Sequence, residues 1–122
     1  MLSTTRVLEV HWTATHVVVK LPRWHPEANM HGHEWSAELH VTGSGEAFAM
    51  RDLDATEREV AEWAARTLDH QHLNEVMDNS TSEEAVAAWL FEQWAPQVEG
   101  LAQVRISARP REWTAFTPPA QQ

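Results

Sequence analysis

The sequence contains no cysteine among its 122 residues. This absence excludes a disulfide framework, a zinc site with cysteine ligands and a cysteine nucleophile. Lysine and arginine are scarce, 9 against 18 aspartates and glutamates, which gives a formal net charge of −9. Such a charge argues against a protein that binds nucleic acid or an anionic membrane surface, because both need clustered cations. We therefore expect a small-molecule substrate and neither of those partners.

Long apolar runs are missing as well. No stretch approaches the ~20 apolar residues of a membrane helix, and the first ten residues alternate instead of forming the apolar run of a signal peptide. We therefore expect a cytoplasmic protein. A chain of 122 residues suits one small domain, which we place at 1–117, with a disordered tail at 118–122 that begins with two prolines.

Hydrophobic patterning predicts an α+β fold. Alternation of apolar and polar residues predicts four strands, at 6–19, 34–42, 101–108 and 113–116, with a turn at 43–45 after the second strand. Helical spacing predicts two helices, one at 52–68 behind an N-cap at Asp52 or Asp54, and one that follows a start signal at 78–81 and ends near Trp94. The expected order is ββααββ, a four-stranded antiparallel sheet with two helices on one face.

Eight histidines stand out in this composition. Because cysteine is absent, any metal site must be built from histidines and carboxylates. His31 and His33 are two residues apart in an extended segment, so their side chains point to the same face and can bind one metal ion. His16 becomes a candidate third ligand if the first two strands form a hairpin. The alternatives are two solvated loop histidines and a partly buried strand histidine.

Asp69 and His70 follow the first predicted helix. An aspartate beside a histidine can fix its tautomer and raise its basicity, which is the usual support of a general acid or base. The alternative is a helix C-terminus, where the macrodipole favours an imidazolium. His72 is a competing candidate for the same role.

Glu27 lies four residues before His31 in a proline-flanked loop. Next to a cation it would stay ionised and could take a proton from a substrate, whereas the alternative is a surface glutamate without a role. Trp24 and Trp113 lie in loop-like contexts, and we consider them as walls of a pocket for a flat ligand.

Five short motifs occur in order across almost the whole chain. They are WTATH at 12–16, MHGHEW at 30–35, AMRDL at 49–53, LDHQHLN at 68–74 and NSTSE at 79–83. Together they resemble the 6-pyruvoyl-tetrahydropterin synthase and 6-carboxytetrahydropterin synthase family, whose motifs read FSAAH, LHGHNY, GMVxDF, LDHxxLN and NPTxE.

The resemblance implies the tunnelling fold, assembled into rings that are commonly trimers or hexamers, with active sites at subunit interfaces. It implies a zinc ion held by three histidines, which are His16, His31 and His33. It also implies that Asp69 and His70 form a proton-transfer dyad, and we assign Thr81, in the last motif, to the substrate-binding residues.

Two departures from the family pattern concern the chemistry. The family's catalytic cysteine sits four residues before the His-Gly-His motif, where this chain has Glu27, although some branches use a glutamate near this point. The family's penultimate strand ends in Glu-Thr, whose carboxylate accepts hydrogen bonds from the pterin, and Ala108 and Arg109 stand there instead. Removing such an acceptor costs about 1.5–3 kcal/mol or more, unless Glu112 or a backbone carbonyl replaces it.

Three functions remain open at this point. The first is a zinc-dependent lyase or isomerase acting on a dihydropterin side chain, such as that of dihydroneopterin triphosphate, with Glu27 and His70 moving protons. The second retains the metal site but acts on a non-pterin substrate that Ala108 and Arg109 accommodate. The third is a metal-binding homologue without catalysis.

Overall fold

The computed structural model describes residues 2–77 and 80–120. In this part of the chain the strands are β1 (Thr4–His16), β2 (His31–Gly43), β3 (Gln71–His72), β4 (Leu101–Arg109) and β5 (Glu112–Phe116). The α-helices are α1 (Gly45–Ala49), α2 (Leu53–Thr67), α3 (Leu73–Val76) and α4 (Glu83–Trp94), and Pro26–Ala28 form one 3₁₀ turn.

The strands form one mixed sheet in the order β3-β1-β2-β4-β5. The strands β1 and β2 pair antiparallel along their whole length, from Thr4 opposite Gly43 to His16 opposite His31. The predicted α+β class is confirmed, but the prediction of four antiparallel strands in the order ββααββ is wrong. The fifth strand, β3, lies between the two long helices in the chain and pairs parallel with β1. A strand of two residues leaves no periodicity that the sequence could reveal.

The helices α2 and α4 pack on one face of this sheet, where the alternating apolar residues of the strands are buried. On β1 and β2 these are Leu8, Val10, Trp12, Ala14, Trp35, Ala37, Leu39 and Val41; on β4 they are Val104, Ile106 and Ala108. The helices contribute Val60, Ala64, Val86 and Leu90 to the same core. The faces predicted from alternation on the first two strands are confirmed.

Two predicted element ends are wrong, and each has a local cause. The strand β1 ends at His16 instead of continuing to residue 19, because both backbone groups of Val17 bond to the side-chain amide of Asn74. The predicted turn at 43–45 is divided between β2 and α1. Gly43 stays in the strand because it pairs with Thr4, and it is a glycine because the ring of Phe48 occupies the space that a side chain would need.

The helix starts agree with the predicted signals in part. Asp52, and not Asp54, caps α2 by accepting a hydrogen bond from the amide of Ala55. Asp78 and Asn79 lie outside the described residues, and the cap of α4 is Ser82, which accepts from the amide of Ala85. The described part of the predicted tail, 118–120, has no regular secondary structure, and 121–122 lie outside the described residues. Within the described ranges, no helix has the length and apolar character needed to cross a membrane.

Leu39→Ala is expected to destabilise the protein by about 2–5 kcal/mol, because a fully buried leucine leaves a cavity that the sheet and helices cannot close. The side chain of Leu39 is 0% exposed, whereas Leu2, at 94%, offers the same substitution at the surface. Leu2→Ala should change the free energy of unfolding by less than about 0.5 kcal/mol. Urea denaturation measures both, and equal effects would contradict the assigned core.

Candidate metal centre and active site

Three imidazoles meet at one end of the sheet. His16 ends β1, and His31, directly opposite, begins β2. His33 lies two residues further along β2 and therefore on the same face as His31. The ring centroids of His16 lie 4.4 Å from His31 and 5.2 Å from His33, and those of His31 and His33 are 4.7 Å apart. The structure thus brings together the three histidines that the sequence singled out.

The hydrogen bonds of these rings leave one nitrogen of each ring available. Nδ1 of His16 donates to the carbonyl of Thr81 at 2.8 Å, and Nδ1 of His31 donates to the carbonyl of Asn29 at 2.7 Å. Because a carbonyl oxygen only accepts, Nδ1 carries the proton in both rings. The Nε2 atoms of all three histidines are buried without a hydrogen-bond partner.

These atoms fit a metal ion. The candidate ligand atoms of His16, His31 and His33 all lie within 4.8 Å of one another. Three imidazoles, with the other ring nitrogen bonded to a carbonyl in two of them, form the ligand set and outer support typical of a catalytic zinc site, which leaves one coordination position for substrate. An unpartnered buried nitrogen is costly unless something binds it, so the cluster favours an occupied site.

Electrostatics keeps two of these imidazoles neutral near pH 7. Burial lowers the pKa of His16 to about 4, and the neighbouring His31 and His33 act in the same direction, against the opposing bond to Thr81. Burial also lowers the pKa of His33, with help from His31 and Arg109. Metal ions bind the neutral imidazole, so protons compete little for these two ligands at physiological pH.

Asn74 and Thr81 hold this end of β1 in place. The amide of Asn74 bonds to both backbone groups of Val17, and the hydroxyl of Thr81 donates to the carbonyl of Val17 and to Asn74. Thr81 is 0% exposed, so the structure places it beneath the metal centre, as a support of His16. Its assigned role in substrate binding stays a prediction. The sequence analysis missed Asn74, although it ends the LDHQHLN motif.

Glu27 lies in the 3₁₀ turn beside the three histidines. The imidazole of His25 accepts a hydrogen bond from the amide of Glu27, and the carbonyl of Glu27 accepts one from Val18. The carboxylate accepts a hydrogen bond of 2.5 Å from Arg109. Its negative charge raises the pKa of His16 and His33, against the larger effect of burial. Glu27 therefore lies near the metal centre but outside the cluster of candidate ligand atoms.

A cavity of about 400 Å³ opens beside the metal centre, where β2 and β4 separate. The pairing of these strands ends at Ser36 and Ser107, and beyond it Gly32 and His33 face Ala108 and Arg109 across the cavity. Arg109 also lies 4.0 Å from the carboxylate of Glu112. Neither Trp24 nor Trp113 lines this cavity, and their role as walls of a pocket for a flat ligand stays a prediction. Trp24 is 80% exposed, and Trp113 lies against Arg105.

Glu83 is a carboxylate of this site that the sequence analysis interpreted only as part of a capping box. It lies in the first turn of α4, half-buried, and accepts a hydrogen bond from the hydroxyl of Thr114. Burial raises its pKa, and the charges of Arg109, Glu27 and Glu112 also act on it. It therefore lies close enough to Arg109 and Glu27 to interact with their charges, although it is not among the residues that line the cavity. Its place in the NSTSE motif was the available signal.

Asp69 and His70 form a hydrogen-bonded pair at the outer edge of β1. Nδ1 of His70 donates to Asp69 at 2.8 Å, and the other oxygen of Asp69 accepts from the amide of Thr13. These bonds lower the pKa of Asp69, the bond from Thr13 having the larger effect. His70 has a positive φ of 60° and donates its amide to the carbonyl of Thr13. The two adjacent side chains do face each other.

Among the described residues, no hydrogen bond or ion pair joins this dyad to the three histidines of the metal centre. Asp69 and His70 line a different cavity, of about 520 Å³, together with His11 and Thr13. His72, the competing candidate, has its Nδ1 2.9 Å from the hydroxyl of Thr15. Asp69 and His70 bond to each other and to the backbone of Thr13, and the amide of Asp69 also donates to the carbonyl of Ala64.

Comparison with known proteins decides the family. The family model described as 6-pyruvoyl tetrahydropterin synthase matches residues 7–119. The chain belongs to the 6-pyruvoyl tetrahydropterin synthase family. A curated relative, the dihydroneopterin monophosphate aldolase of Pyrococcus furiosus, is 30% identical over 94 residues, which cover 77% of this chain and 77% of that protein. The resemblance found in the sequence motifs is therefore confirmed.

Solved structures share the fold of this family member. The 6-pyruvoyl tetrahydropterin synthase of Caenorhabditis elegans matches with a TM-score of 0.80 at 20% identity, over 98% of each chain. An uncharacterised protein of Wolinella succinogenes matches with a TM-score of 0.83 at 12% identity, over 98% of this chain and 100% of the other. At these identities the likeness establishes the fold alone.

His33→Ala is expected to abolish stoichiometric metal binding by this family member, because two imidazoles remain where a catalytic zinc uses three protein ligands. Elemental analysis after dialysis against zinc should find about one ion per wild-type chain and less than about a tenth per variant chain. His11→Ala is the matched control, since that ring is 66% exposed on the opposite face of the sheet. Zinc retained by the His33 variant would contradict the assigned site.

Proposed function

We propose that this protein is a zinc-dependent enzyme of pterin metabolism, a lyase that cleaves or rearranges the side chain of a phosphorylated dihydropterin such as dihydroneopterin triphosphate or monophosphate. The observation that carries the proposal is the set of three buried, unpartnered Nε2 atoms on His16, His31 and His33 beside an open cavity. The aldolase relative from Pyrococcus furiosus supports this class of substrate.

The three histidines would hold the zinc, and burial favours that role by lowering the pKa of His16 and His33, which keeps these two imidazoles neutral near pH 7. Zinc, when bound there, would supply a Lewis acid that polarises an oxygen of the substrate's side chain. A polarised side chain loses a proton more readily, so the remaining requirement is a base at the same cavity.

Glu27 is our candidate for this base. The chain has no cysteine, so a thiolate cannot serve, and a carboxylate is the group available at this position. Its turn is held by His25 and Val18, and its carboxylate is fixed by Arg109 at the side where β2 and β4 separate. In this position Glu27 would accept a proton from the substrate's side chain.

Asp69 and His70 would move the second proton. Asp69 accepts a hydrogen bond from Nδ1 of His70. The Nε2 atom of His70 would then be the one that exchanges a proton with substrate. Because this dyad lines its own cavity at the edge of β1, we propose that it completes the active site of a second copy. This arrangement requires a homo-oligomer with interfacial active sites, such as a trimer or hexamer.

Recognition of the pterin ring would need an acceptor other than residue 108. Ala108 is buried and carries no polar side chain. The half-buried Glu83, which faces Arg109, Glu27 and Glu112, is the carboxylate best placed to accept hydrogen bonds there, with Glu112 as a more exposed alternative. The apolar Ala108 also supports a second candidate function, in which the same metal site acts on a ring without the donor edge of a pterin.

Glu27→Gln is expected to lower kcat on dihydroneopterin phosphates by about 10²–10⁴-fold, because an amide cannot accept the proton that a general base removes. Zinc content should stay at the wild-type value, since Glu27 lies outside the ligand cluster. Glu62→Gln, on the exposed side of α2, is the control for loss of one negative charge. Full turnover by the Glu27 variant would contradict the assignment of Glu27 as the base. If the wild-type protein turns over no dihydroneopterin phosphate, the proposed pterin substrate is wrong.

Mixing two inactive variants tests the shared site. His33→Ala lacks the metal centre and His70→Ala lacks the dyad, so each alone should have under about 1% of wild-type activity. If each active site takes His33 from one subunit and His70 from another, co-expressed variants should recover about a quarter of the sites, as random pairing dictates. A double variant carrying both changes is the control, and mixtures as inactive as that control would contradict interfacial sites.

A further inference from the structure

The carboxylate that we assign as the base is already engaged. Glu27 accepts a hydrogen bond of 2.5 Å from a guanidinium nitrogen of Arg109, the last residue of β4. The Oε1 atom of Glu27 is occupied by this contact, and the side chain of Arg109 stands between that oxygen and a substrate in the cavity. Something must therefore weaken this contact when the reaction begins.

Arg109 is accessible to a ligand in the cavity. Its side chain is 45% exposed, against 26% for that of Glu27. It lines the cavity beside Ala108 and His33, and its other carboxylate neighbour, Glu112, is 4.0 Å away. Exposed ion pairs of this kind are weak, so a stronger anion can displace Glu27 at little cost.

A phosphate group is such an anion. It carries up to two negative charges and several acceptor oxygens, and the planar guanidinium can donate two parallel hydrogen bonds to it. The competing contact with Glu27 uses one guanidinium nitrogen. The chemistry of the exchange therefore favours a phosphoryl group over the carboxylate.

We propose that Arg109 binds the phosphate of the substrate and in doing so releases Glu27, so that the base becomes free when a phosphorylated substrate is bound. This inference rests on the proposed function for the identity of the substrate. It makes Arg109 the residue that distinguishes a phosphorylated dihydropterin from the unphosphorylated alcohol. Arg109 then sets the specificity for phosphorylated substrates through its charge, whereas the side chain of the neighbouring Ala108 offers no hydrogen bond.

Binding of inorganic tripolyphosphate to the zinc-loaded protein, measured by isothermal titration calorimetry, tests the exchange without turnover. Arg109→Gln should weaken binding at least 10-fold. Glu27→Gln should tighten it at least 3-fold, because it removes the competitor for Arg109. The double variant should bind as weakly as Arg109→Gln alone, since the competitor matters only when Arg109 is present.

Arg111→Gln is the matched control. Arg111 lies in the turn between β4 and β5, and its substitution removes the same positive charge as Arg109→Gln. It should change the tripolyphosphate affinity less than 2-fold. If the Arg109 and Arg111 variants weaken tripolyphosphate binding equally, the proposal is overturned, because the loss would then reflect the overall positive charge of the turn and not a contact of Arg109. Unchanged affinity in Glu27→Gln would overturn the competition between Glu27 and phosphate.

Kinetics with matched substrates extends the test to the reaction. Arg109→Gln should raise KM for dihydroneopterin monophosphate at least 10-fold and KM for dihydroneopterin less than 2-fold. Equal changes for both substrates would overturn the specificity role while leaving the proposed function intact. If wild type turns over neither of these substrates nor dihydroneopterin triphosphate, the proposed function fails, and the calorimetric series still decides whether Arg109 binds phosphate.

Discussion

The antiparallel register between β1 and β2 is the constraint on which the candidate site depends. Because His16 lies directly opposite His31, and side chains alternate between faces, the three histidines share the face that also buries Trp12 and Trp35. A slip of one residue would move the apolar residues of one strand to solvent and carry its histidines away with them. The free energy that fixes the register of the core thus also brings the three histidines together, and the bonds of Asn74 and Thr81 add to it at the end of β1.

The sequence could predict those features of the fold that a pattern of several residues encodes. Alternation in β1 and β2 identified the buried face and, with the His-Gly-His spacing, the three converging histidines. The strand β3 was beyond prediction because it consists of two residues, Gln71 and His72, that pair with Ala14 and Thr15, and a segment this short has no periodicity. Glu83 was misinterpreted because its position in a helical first turn fits a capping role equally well, and only the packing of α4 against β5 turns its carboxylate to Thr114.

The two halves of the proposed machinery are built differently. The histidines lie on the paired ends of β1 and β2, with two Nδ1 atoms bonded to carbonyls, so their directions are determined by the strands and by these bonds. Glu27 and Arg109 lie in a 3₁₀ turn and at the end of β4, and each is held by contacts at the surface. Rigid ligands suit a metal ion that needs fixed geometry, whereas a base and an anion-binding group must change partners during turnover.

The departures from the family pattern make chemical sense when they are considered together. A glutamate at 27, where the family resemblance places a cysteine, adds a negative charge to a cavity that Glu83 and Glu112 already approach. A second carboxylate at 108 would add like-charge repulsion beside it, and Ala108 avoids that repulsion. Arg109 then neutralises Glu27 directly. Residues 27, 108 and 109 thus act as one electrostatic unit, in which Arg109 balances the charge of Glu27 and Ala108 adds none.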